Sequence, residues 1–152
     1  MMNKAIYFDM DGTIADLYGV ENWLDLIIAR NPLPYEIAKP LVNLSALAHR
    51  LNNLRKKGWH LGIISWLSKE DNPDYNEAVI QAKKKWLEKH LPSVFWDEIR
   101  IVSYGTPKST AVNNIGVLFD DEAPNRIEWE NAGGNAYNVH NIMDILEGLK
   151  NG

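Results

Sequence analysis

Apolar and polar positions alternate along this chain with two different periods. Five short runs are apolar or β-rich and are bounded by turn residues or charges: "KAIYFD" (4–9), "WHLGIIS" (59–65), "EIRIV" (98–102), "GVLFDD" (116–121) and "NAYNV" (135–139). Each predicts a strand, because β-branched and aromatic side chains suit a pleated, buried surface. Between them the spacing is helical. Leu44, Leu47, Ala48, Leu51 and Leu54 form a stripe that stops at Gly58, a residue suited to a helix C-terminus. Val79, Ala82, Trp86 and Leu87 form a second stripe, begun near Asn72-Pro73 and ended by Pro92. "APNRIEWENAGG" opens with proline near its first turn and closes in glycine, and "NIMDILEGLK" carries a last helical pattern.

Strands alternating with helices predict an α/β domain: a doubly wound, Rossmann-like parallel sheet of five strands, covered on both faces. Residues 17–43 break the alternation. They hold "VENWLDLIIAR" and then the proline-bearing "NPLPYEIAKP", which predicts a small helical insertion after the first strand. The sequence shows no internal repeat and no low-complexity tract, so 1–152 reads as one domain.

Composition sharpens this picture. With 45% hydrophobic and 24% charged residues the chain reads as globular. A net charge of −4 gives no reason to expect nucleic acid or an anionic membrane as an obligatory partner. The absence of cysteine excludes disulfides, thiolate zinc sites and cysteine nucleophiles together. The apolar run in "MMNKAIYFDMDG" is too short for a signal peptide and meets acid at Asp9, and no window reaches the length of a membrane span. The expectation is a soluble cytoplasmic protein with no membrane partner, its oligomeric state left open.

In doubly wound sheets, ligands bind beyond the carboxyl ends of the strands, where the strand order reverses. Strand one runs into Asp9 and Asp11, strand two ends at Ser65, and strand four ends at Asp120 and Asp121. These residues are expected at one edge. "DMDGT" alone also fits a simple turn, since aspartate and glycine form turns. A D-x-D-G-T pattern arises by chance in about one chain in a thousand at ordinary residue usage. An EF-hand loop begins the same way but needs glutamate at its twelfth position, where this chain has Val20. Neither glycine-rich nucleotide loop occurs. Asp9, Asp11, Asp120 and Asp121 would carry a formal −4 if all were ionised, and they would repel a phosphate unless a cation intervened. All-oxygen donors with no histidine nearby in sequence favour Mg2+ over zinc. Asn125, four residues after Asp121, is placed to steady the metal's waters.

"FDMDGTIADL" resembles the first motif of the haloacid dehalogenase (HAD) superfamily of phosphohydrolases. The serine of "LGIIS", Lys108 and the acidic pair of "VLFDDEAPN" follow in that superfamily's order. "ISWLSK" and the stretch "AKKKWLEKHLPSVFWDEIRIVSYGTPKSTAVNNIGVLFDD" are further similar to the 5'(3')-deoxyribonucleotidases, and the matches together cover 4–17 and 59–125. The resemblance implies an HAD-like fold in which the 17–43 insertion is a small cap, reduced beside the larger helical cap of the nucleotidases. It implies that Asp9 is a nucleophile forming an aspartyl-phosphate, and that Asp11 is the general acid and base. It implies Mg2+ ligation by Asp9, the Asp11 backbone carbonyl and Asp121, with Asp120 in support. Ser65 and Lys108 would hold the phosphoryl oxygens. Gly12 would permit the tight turn, and Thr13 would orient a neighbour.

Other residues divide by context. The lysine run 83–85 lies on a helix with Glu88 four residues after Lys84, and reads as a solvated face. Lys69 is a secondary candidate for contact with the substrate phosphate. Trp66, directly after Ser65, is the best aromatic candidate to touch substrate, and Tyr18, Trp23 and Tyr35 are further stacking candidates. Trp86 lies on an apolar stripe and is expected in the core. Asp16 and Glu122 read as local caps or surface charges, and the four histidines show no metal-ligand spacing.

The expected activity is Mg2+-dependent hydrolysis of a small phosphorylated substrate, a deoxynucleoside monophosphate being the class the narrower resemblance implies. A phosphorylated nucleic-acid end or another small phosphorylated metabolite is the alternative among phosphatases. The non-enzymatic alternative is a receiver-like or degenerate phosphate-binding protein. Receivers place their acidic pair after strand one and their lysine at the last strand, whereas here Lys108 precedes strand four.

Overall fold

A computed structural model describes residues 3–151; residues 1, 2 and 152 of the expected domain lie outside the described residues. In chain order the elements are β1 (Ala5–Phe8), β2 (Ala15–Asp16), α1 (Trp23–Ile28), α2 (Leu33–Ile37), β3 (Lys39–Pro40), α3 (Leu44–Lys56) and β4 (His60–Trp66). There follow α4 (Pro73–His90), β5 (Glu98–Val102), β6 (Val117–Phe119), α5 (Ala123–Asn131), β7 (Asn135–Tyr137) and α6 (Ile142–Leu149).

Five strands form one parallel sheet in the order β5-β4-β1-β6-β7. The chain steps outward from β1 through β4 to β5, then crosses back to lay β6 on the other side of β1. The order therefore reverses between β1 and β6. Splaying of the two connections leaves a crevice at such a point. Register fixes what faces it, because Phe8 pairs with both Ile63 and Phe119. The strand limits differ from the sequence expectation at the ends that matter. β1 stops at Phe8 and β6 at Phe119, so their acids lie just past the ladder, while β4 continues through Ser65 to Trp66. Main-chain bonds still pin the exits: Asp9 N donates to Phe119 O (2.9 Å) and Asp120 N to Tyr137 O (3.1 Å).

Alternation along the central strands sends residues to two cores. Ile6, Phe8, Leu61, Ile63, Val117 and Phe119 meet Leu47, Leu51 and Leu54 of α3, Trp86 of α4, and Ile142 and Leu146 of α6. Tyr7, Ile64 and Leu118 meet Trp129 of α5 on the opposite face. Burial on both faces explains why these strands read as near-continuous apolar runs. The long helices start where side chains can cap them: Asn43 Oδ1 accepts from Ala46 N and Asn72 Oδ1 from Tyr75 N, each at 3.0 Å.

A second, two-stranded sheet was not expected. Ala15 pairs with Pro40 and Asp16 with Lys39 in antiparallel register. Such two-residue strands carry no periodicity, so nothing in the sequence announces them. Between them lie α1 and α2, and Leu17, Ile27 and Tyr35 of this segment pack on Leu67, Tyr75, Val79 and Ala82. Among the described residues no helix is long and apolar enough to cross a membrane.

Candidate active site

After β1 the backbone turns back sharply on itself. Met10 O accepts from the amides of Thr13, Ile14 and Ala15 at 3.0–3.1 Å, and Gly12 N donates to Ala15 O at 2.8 Å. Gly12 takes φ +81°, and a Cβ there would come within 2.3 Å of Asp121 Oδ2. Both the backbone angle and the close approach of a carboxylate therefore require glycine. The turn holds Asp9 and Asp11 beside the exit of β6.

Asp9, Asp120 and Asp121 each offer a carboxylate oxygen, and these oxygens lie within 4.8 Å of one another. Three different side chains hold this corner. Lys108 Nζ bridges Asp9 Oδ1 (2.9 Å) and Asp120 Oδ2 (2.7 Å). Thr13 donates to Asp9 Oδ2 (3.0 Å) and lies 3.3 Å from Asp121 Oδ1, while accepting from Asp121 N (3.2 Å). Asn125 Nδ2 donates to Asp120 Oδ2 at 3.2 Å. Asp9 thus has both oxygens fixed, which holds it in one rotamer.

Lys83 joins the group from α4. It was expected on a solvated face; the structure corrects this. Its side chain is fully buried and its Nζ donates to Ser65 Oγ (2.6 Å), Trp66 O (2.7 Å) and Asp11 Oδ2 (2.9 Å). The ammonium also lies 5.0 Å over the Tyr35 ring. Lys84 and Lys85 do face solvent. A signal was present: position 83 lies four after Val79 and three before Trp86, in phase with the apolar stripe and not opposite it.

Two buried lysines therefore face four carboxylates, and the imbalance is visible in their acidity. Burial pushes Asp121 up to about 8, with the Asp9 carboxylate adding to the shift. Asp120 is pushed up to about 6 by burial and then by Asp9, against the opposing pull of Lys108. Asp11 is raised by burial although Lys83 pulls it down. Burial works to discharge Lys108, but Asp9 and Asp120 hold it above the ordinary lysine value. These are the marks of a carboxylate cluster short of positive charge.

A cavity of about 630 Å³ opens over this corner. Asp9, Asp11, Asp121, Lys108, Asn125, Trp66 and Lys69 all line it. Trp66 is anchored by its indole N–H to Thr106 O (2.8 Å) and lies against Tyr104, with ring centres 4.9 Å apart. Lys69 is exposed and its ammonium sits 5.0 Å from the Tyr104 ring centre. Ser65, Gly12, Thr13 and Asp120 lie outside the cavity lining. Ser65, Thr13 and Asp120 are fully buried and act on their neighbours: Ser65 receives Lys83, Thr13 aligns Asp9 and Asp121, and Asp120 anchors Lys108. Asp16 caps the short 3-10 turn at Leu17–Gly19 by accepting from Gly19 N, while Glu122 is exposed at the cavity rim. Trp86 is buried in the core, its N–H bonded to Ala38 O at 2.7 Å. No family model matches this chain, and no curated protein matches it.

Proposed function

We propose that this protein is a Mg2+-dependent phosphomonoesterase that works through an aspartyl-phosphate, as its resemblance to HAD phosphohydrolases implies. The observation that carries the reading is the Asp9 carboxylate, clamped by Lys108 and Thr13 beside Asp121 at the floor of a substrate-sized cavity.

The donor set fits a hard cation, because Asp9, Asp120 and Asp121 bring only carboxylate oxygens within reach of one another. Bound there, with the Asp11 carbonyl as the resemblance implies, Mg2+ would neutralise the corner and stabilise charge on the phosphoryl oxygens. The remaining work falls to side chains. An Asp9 oxygen attacks phosphorus in line as the bond from phosphorus to the leaving oxygen breaks. Asp11, whose carboxyl burial raises above its ordinary value, gives its proton to that leaving oxygen. In the second half Asp11 takes a proton from water, the water oxygen attacks phosphorus, and the Asp9–phosphorus bond breaks to release inorganic phosphate. Lys108 offsets negative charge beside Asp9, and Lys83 holds the Asp11 carboxyl toward the site. Lys83 and Lys108 both come from the stretch 82–121 on which the nucleotidase resemblance rests.

The test is hydrolysis of p-nitrophenyl phosphate with Mg2+ or with chelator. Turnover should require the metal, and Asp9→Asn should lower kcat by at least about a thousandfold with the circular dichroism spectrum unchanged. Turnover that survives both the chelator and Asp9→Asn defeats the reading.

A further inference from the structure

The acids occupy only the floor of the cavity; its walls have a different chemistry. One wall comes from the segment between β2 and β3, which contributes Leu17, Tyr18, Trp23, Leu24, Ile27 and Ile28. Tyr18 and Trp23 meet edge to face, with ring centres 5.0 Å apart. The exits of β4 and β5 supply the other aromatic pair, Trp66 and Tyr104. Leu24 and Ile28 are more than half exposed, an arrangement that water penalises unless a ligand covers them. Tyr35, about nineteen-twentieths buried, lines the same cavity, its ring centre 5.0 Å from the Lys83 ammonium.

Charge and hydrogen-bond capacity narrow what these walls accept. Beyond the catalytic corner, Lys69 is the cation of the lining, and Glu70 and Glu122 accompany it. A second phosphate on the leaving group would meet that acidic rim with little to offset it. A nucleobase edge needs paired donors and acceptors such as an amide. Asn125 brings the amide to this cavity, and its Nδ2 is already bonded to Asp120. An apolar ring needs none of this: it gains from burial and from stacking against aromatic faces and edges.

We infer that the leaving group is an uncharged alcohol bearing an apolar aromatic ring, received between the Tyr18–Trp23 and Trp66–Tyr104 pairs. This rests on the phosphatase reading and refines it. The reactive oxygen lies at the acidic floor and the ring lies along the insertion wall. Trp23 and Ile28 are therefore specificity residues, not catalytic ones.

The experiment measures kcat/KM under saturating Mg2+ for four esters of primary alcohols, which keeps leaving-group reactivity comparable. These are benzyl phosphate, n-hexyl phosphate, glycerol 3-phosphate and thymidine 5'-monophosphate. Benzyl phosphate should exceed each of the others by about tenfold or more. Ile28→Asp changes a side chain that is 61% exposed and so preserves the fold; it should cut the benzyl-to-glycerol ratio at least about fivefold. Trp23→Ala should do the same. Turnover of all four esters without preference for benzyl overturns the inference alone, as does an unchanged ratio in both variants. Preference for the hexyl ester overturns the ring, and preference for the thymidine ester overturns the apolar wall. No turnover of any ester, p-nitrophenyl phosphate included, removes the phosphatase reading and this refinement with it.

Discussion

Acidic residues cluster at two places in this sheet, and they behave in opposite ways. At the start of β5, Asp97 accepts from Arg55 Nη2 (3.1 Å) and Leu61 N (2.9 Å). Beside it, Glu98 accepts from Tyr7 Oη (2.6 Å), His60 Nε2 (2.8 Å) and Arg100 Nε (2.9 Å). Burial alone would raise both carboxyls, yet these bonds hold them below their ordinary values. At the other end, beyond β1 and β6, burial and mutual repulsion push Asp11, Asp120 and Asp121 the other way. The β5 acids have a donor for every oxygen and serve as structural ties. The acids at the strand exits outnumber their cations, four carboxylates to two lysines, and that deficit is what a bound cation would correct.

Removing a donor from each cluster gives the sharpest contrast. Lys108→Met strips the cationic partner from both Asp9 and Asp120, and should cost about 3–5 kcal/mol in urea unfolding. A loss under about 1 kcal/mol there would mean that the buried acids had neutralised themselves, and the contrast would fail. Metal provides the next largest effect. In the metal-free protein Asp121 titrates at about 8 instead of the ordinary 3.8. Its raised value means that the folded state keeps a proton which the unfolded chain gives up above about pH 4. Stability from this group is therefore lost progressively as pH rises from about 4 to 8. Asp97 and Glu98 have depressed values, so their contribution is present at neutral pH and lost as pH falls through their ordinary range. Mg2+ at one fixed concentration, about a hundred times its Kd at pH 8, should add about 2.7 kcal/mol there, with a smaller gain in Tm at pH 5. Equal gains at both values would separate Asp121 from the metal.

Lys83→Met should cost about 1–3 kcal/mol, less than Lys108→Met, since Asp11 can hold its own proton once the ammonium is gone. Its larger effect should be on kcat, a loss of about a hundredfold from a misplaced Asp11, with KM little changed. An unaltered kcat would make Lys83 a purely structural residue. The smallest expected effect lies at the β5 cluster. Arg55→Ala removes a partly exposed ion pair with Asp97 and should cost under about 1 kcal/mol, without change in kcat.

Much of this arrangement was legible in the residues. The five strands and the positions of Asp9, Ser65 and Asp120 follow from short apolar runs that end in polar groups, because a sheet buried on both faces has nowhere else to place them, whereas Lys108, on a 3-10 turn before β6, was singled out by the family resemblance alone. Lys83 was not legible as a site residue, since neighbouring Lys84 and Lys85 made the run look like a solvated face; its phase with Val79 and Trp86 was the overriding signal. Nor did sequence spacing distinguish residues that line the cavity from those beneath it. Ser65 and Thr13 are adjacent to Trp66 and Gly12 in the chain, but side-chain direction and the turn at Met10 send their hydroxyls to Lys83 and the acids. The β2–β3 pairing depends on two residues per strand brought together across the segment between them, a contact that no local pattern encodes.

That pairing has a consequence for how the molecule tolerates change. The chain leaves the framework at Asp16 and re-enters it at Lys39, and the two points are clasped side by side, with Leu41 N also bonded to Ile14 O. Everything from 17 to 38 is thus a cassette with a fixed socket. Because doubling the length of a closed loop costs only about 0.6 kcal/mol, a longer or shorter module grafted there should leave the acidic corner where it is. Exchange at this socket would change one wall of the cavity while leaving the acids beyond β1 and β6 in place.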